Sequence, residues 1–376
     1  MVLWPGMGAL YGVFLRIVSK ARNLRRFAIA IPAALIAIAL AWIGATLVVA
    51  ERLNAGQRNS ELSQRDDLKK QVRTLFQSDD LTGLETLSSR FRDGRERTQS
   101  GIWKLTVFYG AFQDLGSEIA RDDTAAWDKL STKIIRWQQA EKSSPAAIIA
   151  GAVSLKARAW KLRPRTFVLE ASTGDSRFVR TLRIAAELLD RSKSVAAADP
   201  HFYAVRADLA AALSQDPGSF MDLVNEGLDK TPGYLPLYFS GLNYFADGNA
   251  AGRPDVAQRI EAFANTVARR LPAPQGEAIY ARLYWHAFTA LYGDDLFVKS
   301  RVDWSRMRNG IDAVLASYPD AWNRNNFAYL ACLQHDHATS KRLLDGLADP
   351  IITVWKAKAI FNGCQRWANA ETGQSN

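Results

Sequence analysis

From about residue 75 to the carboxyl terminus, apolar side chains return every three or four positions. That period is the signature of amphipathic α-helix, and no series of alternating β-branched segments with hairpin turns interrupts it. Leu81, Leu84, Leu87 and Phe91 form one stripe; Trp103, Phe108, Phe112, Leu115 and Ile119 a second; Trp127, Leu130, Ile134 and Trp137 a third. Ser143 and Ser144 precede Pro145, an amino-cap followed by proline in the first turn, which predicts a helix to about Trp160. The expected fold class is all-α.

A longer rhythm overlies this one. Asp199-Pro200 and Asp216-Pro217 open two helices and Thr231-Pro232 closes the pair, so that Pro200 and Pro232 stand 32 residues apart; Pro319 and Pro350 stand 31 apart. Between the latter two, Trp322 to about Leu333 and Thr339 to about Leu347 read as a helix pair. A period just over thirty residues with two helices per unit is close to the roughly 34-residue tetratricopeptide (TPR) repeat, although no single unit carries its full pattern. The expectation is a degenerate TPR-like α-solenoid over 75–376. Such units bury their apolar faces by stacking and leave an extended concave surface for contact. Most of the tryptophans belong in the core.

Ahead of the repeats lies Phe27 to Ala50, a charge-free run entered from Lys20, Arg22, Arg25 and Arg26. At about 1.5 Å per helical residue it is long enough for a hydrocarbon core of about 30 Å, which predicts one transmembrane helix preceding the solenoid. The domain plan is then a basic tail at 1–26, a signal-anchor helix at 27–50, a stalk and first helix at 51–74, and the repeat domain. Arg16 and the four basic residues above precede the run, against Arg52, Arg58 and Arg65 after it, so the positive-inside rule puts the amino terminus in the cytoplasm and the body in the periplasm of a single-pass inner-membrane protein. A cleavable signal peptide ending at Val48-Val49-Ala50 is the rival reading, and translation from Met7 rather than Met1 is a further alternative. A body facing the cytoplasm would make the chain a membrane adaptor.

The formal net charge is +10, of which residues 1–50 supply five basic side chains and no acidic ones. The remaining excess is thin, and no aromatic-interleaved basic stripe accompanies it, which argues against nucleic acid. Cys332 and Cys364 are the only cysteines; they are a candidate disulfide, with two buried thiols as the alternative. Cys332, His335 and His337 lack the paired spacing and fourth ligand of a zinc site. No metal and no cofactor is expected.

Several segments together carry a resemblance. Phe91-Arg92-Asp93-Gly94 is followed by Trp103-Lys104-Leu105 and Phe108-Tyr109; further on stand Asp199-Pro200-His201-Phe202-Tyr203, Pro232-Gly233-Tyr234, Tyr280-Ala281-Arg282 with Tyr284-Trp285, and Trp322-Asn323 with Asn325-Asn326-Phe327-Ala328. Over about 75–367 the chain resembles a bacterial family of TPR-like proteins known only as a domain of unknown function. It departs from the family at Gly248 to Arg253, where a tryptophan-containing glycine-rich turn is expected. What the resemblance implies is a fold, not a chemistry.

The most suggestive cluster pairs Tyr280, Arg282, Tyr284 and Trp285 with Trp322, Asn323, Asn325 and Asn326. Three asparagines within four residues of a helix start are unusual, because asparagine is a poor helix former. They either pair with backbone in the first turn or line the concave surface and hold a protein, peptide or glycan partner. No nucleophile elbow, H-E-x-x-H, phosphate-loop or dinucleotide motif occurs, and adjacent Asp294 and Asp295 point apart. The expected function is therefore non-enzymatic: an anchored scaffold that binds a partner in the cell envelope. A membrane-tethered enzyme acting on envelope material is the alternative.

Overall fold

The computed structural model describes residues 60–163, 176–246, 255–345, 347 and 350–370. They form an all-α body, and among them no strand occurs, only an isolated bridge between Arg97 and Trp103. The main helices are α1 (Glu61–Gln77), α2 (Leu81–Asp93), α3 (Lys104–Glu118), α4 (Thr124–Ala140), α5 (Pro145–Leu162), α6 (Arg177–Arg191), α7 (His201–Ala212), α8 (Pro217–Lys230), α9 (Leu235–Ala246), α10 (Val256–Ala268), α11 (Gln275–Ala287), α12 (Trp304–Ser317), α13 (Ala321–Leu333), α14 (His337–Asp345) and α15 (Lys358–Asn369).

Helix starts are set by short polar side chains that accept from an otherwise unpaired backbone N–H. Ser60, Asp80, Asp123, Ser144, Ser176, Asp216, Asp303 and Asp320 each cap a helix this way. Ser144 and Asp216 are followed by Pro145 and Pro217, whose missing N–H costs nothing in the first turn.

Consecutive helices pack as neighbours, and alternate ones pack as well: α3 lies on α1 and α5, and α9 on α7 and α11. The two sets differ in sequence for that reason. In α4 only Trp127, Leu130, Ile134 and Trp137 are buried, a single stripe; in α6 the stripe is Phe178, Leu182, Ala185, Ala186 and Leu189. By contrast α5 buries residues on every side, from Pro145 through Ser154 and on to Ala157, Ala159 and Leu162, as expected of a helix surrounded by others. Small residues allow the closest approaches. A Cβ at Gly310 of α12 would press on the Glu277 carbonyl of α11.

The packed unit begins at Ser60, so α1 belongs to it: Val72 and Phe76 lie in the core and the Glu61 carboxylate is buried. Cys332 of α13 and Cys364 of α15 form a disulfide with Cα atoms 6.1 Å apart. The single-pass inner-membrane assignment, with its periplasmic body, is corrected: among the described residues no helix is long and apolar enough to cross a membrane. Residues 27–50, on which that assignment rested, lie outside the described residues, as does the Gly248 to Arg253 turn.

Candidate functional site

The link between α2 and α3 runs inward. Thr98 N donates to Ile102 O at 2.7 Å, Gly101 N to Thr98 O at 3.0 Å and Lys104 N to Glu96 O at 2.8 Å, a tight turn centred on Ser100. Gly101 has φ +88°, and a side chain there would meet the Tyr318 ring. Glycine is required on both counts.

Side chains from distant helices grip this turn. From α1, the Glu61 carboxylate accepts from Thr98 Oγ1 at 2.7 Å, Ser100 N at 2.9 Å and Ser100 Oγ at 2.7 Å, and pairs with Arg65 at 2.6 Å. Burial works to raise the Glu61 pKa, but Arg65 and these hydrogen bonds outweigh it and hold the carboxyl below its ordinary range. From α11, Arg282 Nη2 donates to Ser100 O at 2.6 Å. From α13, Asn323 Nδ2 donates to the same oxygen at 3.1 Å and to Tyr318 O at 3.0 Å. The Trp103 indole N–H and Arg97 both reach Gly233 O. Burial lowers the Arg282 pKa to about 10.

The residues singled out in the sequence divide into three groups. Arg282, Trp285, Trp322, Asn323 and Asn326 do come together, around Ser100 and Ile102, enclosing a residual space of about 10 Å³, no more than a water's worth. There Trp285 Nε1 donates to Asn326 Oδ1 at 2.8 Å, Asn326 Nδ2 donates to Trp322 O, and Arg65 lies over the Trp322 ring. Tyr280 and Tyr284 instead face α10 and share Glu261, while Arg306 covers the Tyr280 ring at 4.1 Å. Asn325 is turned to the carboxyl-terminal side: its Oδ1 accepts from Ile351 N at 2.9 Å and Trp355 Nε1 at 2.8 Å. Asp294 pairs with Lys356 and Asp295 with Lys299, so the two carboxylates diverge.

A larger opening lies where α2, the Lys193–Ala196 turn and the end of α8 meet. It encloses about 850 Å³ and is lined by Arg92, Asp93, Arg95, Lys193, Lys230 and Tyr203 among others. Glu226 beside it accepts from Lys193 at 2.7 Å, Lys230 at 3.2 Å and Tyr203 Oη at 2.8 Å, and Lys193 chiefly, with Tyr203 and Lys230, holds it down to about 2. Behind the opening lies a polar cluster in which Tyr109, Asp199 and Tyr234 are buried and His201 is half-buried. Tyr109 donates to Asp199 Oδ2 at 2.6 Å, His201 N to Asp199 Oδ1 at 2.8 Å, and the His201 ring meets Tyr234 Oη at 2.7 Å while stacking on Tyr109. Desolvation lifts Asp199 to about 6 and depresses His201 to about 3.

Sequence reading missed this opening, because its cations come from three separate segments. It also missed the turn at Ser100, since Arg-Thr-Gln-Ser-Gly has the composition of any surface loop. Comparison with known proteins finds no match: no family model, no curated protein and no solved structure is similar to this chain.

Proposed function

We propose that the chain is a non-enzymatic, TPR-like helical-repeat protein, related to the bacterial family it resembles, that works by binding a protein, peptide or glycan partner. The observation that carries this reading is the grip on Ser100. Stacked helices direct charged and amide side chains onto one turn of backbone, which is how a repeat surface holds a segment of chain. Here the segment is the protein's own, and it closes the space that Arg282, Trp285, Trp322, Asn323 and Asn326 would otherwise offer. A partner then engages around the rim of this filled space, where Gln99 is exposed.

A photo-reactive amino acid at Gln99, with Asp222 on the exposed side of α8 as the control position, tests this in cells. Discrete adducts from Gln99 and none from Asp222 are the expected result; no adduct from Gln99, or the same adducts from both positions, would end the binding proposal.

A further inference from the structure

The opening between α2 and α8 has the charge, the size and the unused donors of an anion site. At the surface of the opening Arg92, Arg95, Lys193 and Lys230 stand against Asp93 and Glu226, an excess of two cations, with Asp199 buried behind Arg92. Lys193 and Lys230 share the one Glu226 carboxylate, so neither ammonium is fully neutralised. Arg92 Nε pairs with Asp93 at 2.9 Å, and its Nη2 donates to Ser89 Oγ at 3.2 Å. The exposed Arg95 side chain makes no ion pair among the described residues. Its backbone φ is +49°, a conformation rarely adopted by residues other than glycine.

Small residues complete the lining. Ser194, Ala197 and Ala198 leave the volume open rather than filling it, and about 850 Å³ falls within the range of roughly 300–1,000 Å³ usual for small-molecule sites. Trp103 and Tyr203 also contribute, but both are buried in the core and Trp103 is committed to Gly233 O. They form a floor rather than a stacking platform, so the opening selects charge over aromatic surface.

We propose that this opening binds a small soluble molecule carrying a phosphate group. Phosphate oxygens meet the excess of cations at its surface, and guanidinium groups present paired N–H donors that fit those oxygens two at a time. The lysines supply point charges from the opposite wall by turning away from Glu226. The inference stands apart from macromolecular partner binding and fails or survives independently of it.

The full chain is titrated calorimetrically with pyrophosphate and with glucose 6-phosphate, using acetate at matched ionic strength as the reference. The variants are Arg95→Ala and Lys193→Ala, both at exposed positions, and Lys129→Ala on the exposed side of α4 as a charge control. Saturable binding of a phosphate probe, weakened about tenfold by either cleft variant and unchanged in the control, is expected from the loss of one charged hydrogen bond. Tighter binding of pyrophosphate assigns a diphosphate ligand, and tighter binding of glucose 6-phosphate a phosphate ester. Absence of saturable binding of both probes, or equal weakening in Lys129→Ala, overturns the proposal.

Discussion

The carbonyl oxygen of Ser100 accepts from the Arg282 guanidinium at 2.6 Å, although the two residues lie 182 positions apart in the chain. Asn323 completes the arrangement by donating to the same oxygen. Through this one atom the α2–α3 link is tied to α11 and α13, while Glu61 ties the same turn to α1.

The two donors to Ser100 are expected to be energetically coupled. Arg282→Ala removes a charged hydrogen bond and costs about 2 kcal/mol; Asn323→Ala costs about 1 kcal/mol. Either change leaves the oxygen one partner, but both together leave it bare. The double variant should therefore lose at least about 0.5 kcal/mol more than the sum of the single losses, read from urea denaturation.

The Asp199 and His201 cluster gives opposed pH dependences. Asp199 is raised to about 6, so its ionisation penalises the folded state above that pH and the penalty fades as pH falls towards its ordinary value near 3.8. Asp199→Asn should thus be more stable than the parent by about 3 kcal/mol at pH 7 and by less than about 1 kcal/mol at pH 4. His201 is depressed to about 3, so stability is lost as pH falls below 6.5, where the unfolded chain takes up a proton that the folded chain excludes. His201→Phe keeps the stack on Tyr109 and should recover about 3 kcal/mol at pH 4 relative to its effect at pH 7. Denaturant melts of the three proteins at both pH values measure these differences.

Gly310→Ala is expected to cost about 1–3 kcal/mol, because the added methyl meets backbone rather than a side chain that can swing away. Gly363→Ala, at a helical position with open space around it, should instead be neutral or stabilising by up to about 1 kcal/mol. Thermal unfolding of the pair separates crowding from general helix propensity.

Reduction of Cys332–Cys364 opens a loop spanning 32 positions. On the chain-entropy relation that loop stabilises by about 3–4 kcal/mol. Denaturation with and without reductant, compared with the Cys332→Ala, Cys364→Ala double variant, should show the loss only in the parent.

What the sequence made legible was whatever lay within one helix. The Trp127, Leu130, Ile134 and Trp137 stripe, and the starts at Ser144-Pro145 and Asp216-Pro217, depend on neighbours three or four positions away, and all stand as read. The candidate cluster was legible only in part. Arg282, Trp285, Asn323 and Asn326 do converge, but Tyr280 and Tyr284 stand two positions either side of Arg282 and Asn325 two beyond Asn323, a spacing that turns them to other faces and other partners. Asn325 and Asn326 illustrate the dual use of asparagine, each bonding the carbonyl four positions back with its amide while its oxygen serves an indole elsewhere. Glu61 was hidden for another reason: in a polar stretch that reads as a stalk, nothing local marks a carboxylate whose partners stand 37 and 39 positions downstream.

The most direct test of the account is amide hydrogen exchange across residues 96–104, in the parent and in Arg282→Ala. If the turn is held by α1, α11 and α13, the amides of Thr98, Ser100 and Gly101 exchange as slowly as those of α11, and Arg282→Ala releases them while α4 and α6 keep their protection. Fast exchange of Ser100 and Gly101 in the parent, at the rate of an exposed loop, would contradict it.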